Sequence, residues 1–114
     1  MNYTEIRSLL TTIDDPVMKL EFVMDLGKQL SPIPQNAACT EISGCASRVQ
    51  ICRDNNGIYG SADSALVRGI VAVILMMAND GVVDLRGEFN SLNLNLGAGR
   101  LNGVNSVISF LENL

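Results

Sequence analysis

The amino-acid sequence predicts an α+β fold: a small antiparallel three-stranded sheet covered by helices, in the order ααββαβα. Three observations predict it. Ser64 to Ala78 is apolar on nearly every side (Leu66, Val67, Ile70, Val71, Val73, Ile74, Leu75, Met77), the mark of a helix buried in a core. Asn56-Gly57 stands between two strand-like runs and signals a hairpin. Near both ends of the chain, apolar residues recur at helical spacing. With 114 residues, 47% of them apolar, the chain is bounded to a single domain, 1–114, whose core needs no disulfide support.

Tyr3 to Ile13 reads as a short helix with Ile6, Leu9, Leu10 and Ile13 on one face. Asp14-Asp15-Pro16 breaks it and starts another, with Asp15 as N-cap and Pro16 in the first turn, so capping explains this acidic pair better than acid–base chemistry does. Leu20, Val23, Met24 and Leu30 extend that helix over about 16–29. Pro32 and Pro34 then forbid a helix, and a loop is expected from Ser31 to Gly44. Ala46–Arg53 and Ile58–Ser61 should pair antiparallel, and Asp63 should cap the buried helix. Asn79-Asp80-Gly81 ends that helix, and Val82 to Arg86 reads as the third strand. Glu88 to Leu94 fits a short helix or a turn. After Gly97-Ala98-Gly99-Arg100, Leu101, Val104, Val107, Ile108 and Leu111 mark an amphipathic terminal helix.

Composition removes several function classes. A net charge of −4 without a basic run argues against nucleic acid and against an anionic membrane surface. The longest apolar run, Ile70 to Ala78, is too short to span a bilayer. The sequence holds no histidine, and with it go the commonest general base, the commonest metal ligand and every Cys-His or Ser-His dyad. The N-terminus does not read as an export signal, and an odd count of three cysteines then fits free thiols in a reducing cytoplasm.

The cysteines carry what chemistry there is. Cys39, Cys45 and Cys52 lack the Cys-x-x-Cys spacing of zinc and many cluster sites, although three thiols at a dimer interface leave a cysteine-ligated iron–sulfur or metal scaffold as the alternative reading. Cys52, in a strand, reads as a small core residue. Cys39, in the loop, reads as incidental, as an accessory thiol or as a disulfide partner for Cys45. Cys45 differs: it follows Gly44, whose backbone bends freely, and precedes a strand, which places the thiol at a loop tip. A thiol there can work as a nucleophile once ionised, with Arg48 and Arg100 as candidate cations. The residue pattern alone serves a functional and a structural Cys45 equally. Arg68, which interrupts the buried helix, is better read as carrying its charged head out to water than as a docking residue.

Four segments, in order, resemble the SufE-like sulfur acceptor family: Leu26-Gly27-Lys28-Gln29-Leu30-Ser31-Pro32, Ile42 to Val49 with Gly44-Cys45 at its centre, Ser61 to Gly69, and Arg100-Leu101-Asn102-Gly103-Val104. The resemblance covers about residues 16–111. It implies the SufE/IscU-like α+β fold and a carrier without independent turnover. In such a protein Cys45 accepts a persulfide sulfur from a SufS-like cysteine desulfurase, stimulates that enzyme, and passes the sulfur to an iron–sulfur scaffold. Gly44, Arg48, Asp63 and Arg100 match positions around the acceptor. Pyridoxal phosphate is implied only on the desulfurase, with no cofactor or metal on this chain, and a homodimer is left open. The chain departs from the family pattern at Gln50, where an aromatic residue is common, and at Leu96-Gly97-Ala98-Gly99, which lacks the usual Ser/Thr and Pro. These departures bear on which desulfurase docks.

Overall fold

The computed structural model describes residues 1–114. Its centre is a helix, α3 (Ala65–Asn79), with eight buried residues, among them Ile70, Val71, Val73, Ile74 and Met77. Ahead of it in the chain come α1 (Tyr3–Thr12), α2 (Pro16–Leu26), a 3-10 turn (Gly27–Gln29), and the strands β1 (Ala38–Glu41), β2 (Val49–Asp54) and β3 (Gly57–Ala62); α4 (Leu85–Ser91) and α5 (Ala98–Glu112) follow. The sheet is antiparallel in the order β1-β2-β3. The α+β fold with a three-stranded antiparallel sheet is what the sequence predicts, but the structure has five helices where the predicted order has four, and the element order is ααβββααα.

The difference lies in which segment forms the third strand. Val82 to Arg86 forms no strand. The Asp84 carboxylate instead accepts the Gly87 N–H at 3.0 Å and caps α4, and Val83 points into solvent at 96% exposed. A short alternating run can serve either element, and the cap decides it. The third strand is β1, inside the expected loop. All four of its residues are exposed, so it carries no apolar alternation to read. The hairpin forms, although its first strand begins at Val49 and leaves Ala46 to Arg48 in the loop. Asp54 pairs with Gly57, and its Oδ1 accepts the N–H groups of Asn56 and Gly57 at 2.8 and 3.1 Å. Ser64, not Asp63, caps α3 through the Val67 N–H. Asp15 caps α2 through Val17 and Met18, with Pro16 at the first position.

The site depends on how closely α3 approaches its neighbours. A Cβ built on Gly69 would lie 2.0 Å from the Val23 carbonyl oxygen, so α2 and α3 cross backbone to backbone there. A Cβ on Gly60 would lie 2.6 Å from the Val71 side chain, which seats α3 on β3. On the far side, polar clamps fix the other helices. The Tyr3 hydroxyl and the Arg7 guanidinium both donate to Glu88 Oε1, at 2.8 and 2.7 Å, and the Tyr3 N–H donates to Asp80. Burial and the adjacent Glu88 hold the Tyr3 phenol protonated far above the usual tyrosine range. Arg86 ties α4 to α5 through Glu112, Ser109 and Asn105. A single hydrophobic cluster runs from Tyr3 to Ile108. Contrary to its expected place on the apolar face of α1, Leu9 is 42% exposed.

Candidate functional site

The loop from Ile42 to Arg48 joins β1 to β2 and is pinned at both stems. The buried Ile42 donates its N–H to the Val49 carbonyl at 2.9 Å, and the Asp63 N–H donates to the Arg48 carbonyl at 3.1 Å. Between the stems, residues 43–47 make no backbone–backbone hydrogen bond. Gly44 turns the chain with φ 88°, a conformation that side chains rarely allow, and a Cβ there would stand 2.7 Å from Ser106 Oγ. That turn delivers Cys45 inward.

Cys45 is half-buried and is the one free cysteine. Its thiol donates to the Gly103 carbonyl on α5 at a long 3.7 Å, and Cys45 packs directly over Gly103. Cys45 stands on the wall of a cavity of about 320 Å3 lined by Val49, Val67, Ile70, Val71, Leu96 and Val104, with Arg100 and Ser64 supplying polar groups. Its lining therefore comes from β2, α3, the Leu96-Gly97 segment and the start of α5, and the loop residues Cys45, Ala46 and Ser47 form one wall. Apolar surroundings disfavour the thiolate, and burial pushes the Cys45 pKa up.

The structure therefore brings some of the expected residues together and separates others. Cys45 and Arg100 both line the cavity, Gly44 turns the chain just ahead of Cys45, and Arg100 has no ion-pair partner. Arg48 does not face the thiol as an activating cation; its guanidinium lies 3.5 Å from Glu41 on the exposed side of the loop. The exposed Asp63 contributes its backbone, which holds the Arg48 stem. Arg68 is exposed and donates to the Ala62 carbonyl at 3.2 Å.

Cys39 and Cys52 correct the expectation of free thiols, because they form a disulfide with each other. The register of β1 on β2 sets them directly opposite, which is why Cys39 pairs with Cys52 and not with Cys45. Cys52 is fully buried, as a core residue should be, while Cys39 stays exposed. Gly103 and Ser106 are the site residues that sequence reasoning passed over. Gly103 stood in the Arg100–Val104 segment without a role, and Ser106 gave no signal beyond its small size. No group of three or more His, Cys, Asp or Glu side chains is placed to hold a metal ion, and no helix is long and apolar enough to cross a membrane.

A model of the SufE family, an Fe-S metabolism associated domain, matches residues 4–114. The chain is similar to a SufE-like protein of Synechocystis, 28% identical over 111 residues that cover 86% of this chain and 70% of that protein. The cysteine desulfuration protein SufE of Wigglesworthia glossinidia brevipalpis is 28% identical over 109 residues, 82% of this chain and 76% of the relative. A SufE-like protein of Rhizobium meliloti is 26% identical over 115 residues, covering 84% and 81% of the two chains. With nearly its whole length matched by the family model, the chain belongs to the SufE family.

Proposed function

We propose that this protein is a sulfur carrier for iron–sulfur cluster assembly, with Cys45 as its acceptor. The observation that carries the reading is the placement of the one free thiol on a loop without internal backbone bonds, over an apolar cavity, in a chain of this family. A relative is named for cysteine desulfuration, which supplies the donor class.

In the proposed step, the Cys45 thiolate attacks the outer sulfur of a persulfide on a cysteine desulfurase. A new S–S bond forms on Cys45, the donor's S–S bond breaks, and the donor cysteine leaves as a thiolate. Attack by an ionised thiol needs no general base, so the lack of histidine is no obstacle. The raised pKa keeps Cys45 protonated and unreactive while the loop is seated. Docking that lifts the loop out of the apolar cavity removes the desolvation and lets the thiol ionise beside the desulfurase. Removal of the bound sulfur also speeds the desulfurase, and the sulfur passes to a cluster scaffold. The pyridoxal phosphate chemistry stays on the desulfurase.

The rival, a scaffold that ligates a metal or cluster with all three thiols, meets a specific obstacle. Two of the three sulfurs are bonded to one another. Intact-mass measurement after incubation with a desulfurase and cysteine tests the carrier reading. The expected result is a gain of one sulfur atom, kept in Cys52→Ala and lost in Cys45→Ser; no gain with any desulfurase refutes it.

A further inference from the structure

The Cys39–Cys52 bond lies outside the acceptor chemistry, yet it brackets it. The covalent ring it closes runs along β1, through the loop and back along β2, with Cys45 inside it. β1 is an edge strand whose four residues are all exposed, so it adds nothing to the core. What holds β1 to β2 is a four-pair ladder and this disulfide. The loop beyond it makes no backbone–backbone bond between residues 43 and 47, so it is held by its stems and by the contacts of Gly44 and Cys45 with Ser106 and Gly103 on α5. One stem is β2, part of the core; the other leaves β1 through Ile42, which is buried and bonds the Val49 carbonyl, and the disulfide ties the strand that precedes it.

We propose that Cys39–Cys52 is a thiol–disulfide exchange site for a dithiol reductant, and that opening it releases β1 and frees the Cys45 loop. A thiolate of the reductant attacks the exposed Cys39 sulfur. The Cys39–Cys52 bond breaks, and Cys52 leaves as a thiolate that takes a proton from water. The reductant's second thiol, ionised, then attacks the mixed disulfide, and Cys39 is released as a thiolate and protonated. Two cysteines of this protein are reduced, and the dithiol is oxidised to its disulfide. Short edge strands without buried side chains open at low cost, so losing the tie loosens β1 and the loop while the core stays closed. Cys45 then leaves its seat on Gly103 more often. Resting on the acceptor reading of Cys45, this makes the oxidised protein the closed form and the reduced protein the form ready to take sulfur.

The test compares oxidised wild type with Cys39→Ser/Cys52→Ala, because each then carries Cys45 as its only thiol. Iodoacetamide labelling of Cys45 is expected to be roughly tenfold faster in the double variant. Hydrogen exchange is expected to quicken over residues 38–48 and to stay unchanged in α3. Dithiothreitol under native conditions should add two hydrogens to the oxidised protein by intact mass. Equal labelling rates overturn the proposal, as does exchange in α3 that quickens with β1, or a bond that dithiothreitol leaves intact. None of these readouts uses a desulfurase. Failure here leaves the carrier reading standing, and failure of sulfur uptake leaves these rates unexplained by it.

Discussion

Cys45 keeps its proton further up the pH scale than an exposed thiol, because the seated loop surrounds it with aliphatic side chains. The labelling rate of the oxidised protein should therefore rise with pH to a midpoint above that of an unfolded control, in which the thiol is solvated. The stability effect has a definite sign. The folded thiol retains its proton where the unfolded one loses it, so its contribution is complete below the ordinary thiol range and declines as pH climbs through it. Gly44 tests the seat directly. Gly44→Ala forces a side chain onto a left-handed turn and against Ser106, so it should cost about 1–2 kcal/mol by denaturant titration and speed Cys45 labelling. Adding Ser106→Ala removes the contact but not the turn, and should recover part of the loss. Full recovery would mean that the turn itself carries no strain.

Among the elements, the contact of α2 with α3 is the least forgiving. Gly69→Ala places a methyl group inside the Val23 carbonyl, and backbone cannot step aside as a side chain would. A loss of about 3 kcal/mol or more is expected, read by chemical unfolding. Element-level reading of the sequence succeeded where burial imposes a pattern. The continuous apolar wrap of α3, the hairpin and, apart from the exposed Leu101, the stripe of α5 follow from what their side chains must hide. It failed where burial imposes none: β1 buries no side chain, and α4 is set by Asp84 reaching the Gly87 N–H. That failure propagated to the cysteines, since the pairing of Cys39 with Cys52 is a consequence of register on a strand with no signature. The Cys45 loop drew attention in the sequence because Gly44-Cys45 is a local feature. Its docking onto Gly103 and Ser106 was not legible, because those contacts join residues some sixty positions apart in the chain.

At the scale of the whole molecule, the N-terminal helix and the last helix are joined through α4. Tyr3 and Arg7 grip Glu88 on one side, and Arg86 grips Glu112 on the other. Glu88→Ala leaves the buried Tyr3 without its acceptor and frees Arg7, with an expected loss of about 1–2 kcal/mol in thermal or denaturant unfolding. Because the Cys45 loop rests on α5 and not on α1, Cys45 labelling in the folded variant should match that of wild type. A raised rate would show that the grip on Glu88 also sets the position of α5.

The close crossing at Gly69 also bears on how a saturation-mutagenesis survey of this protein should be interpreted. On the acceptor role proposed for Cys45, substitutions at 69 and at 60 would be depleted in a growth selection as severely as substitutions at 45, and all three would look indispensable. Only cellular abundance tells them apart: cells would lose the first two proteins and accumulate the third in full, inert.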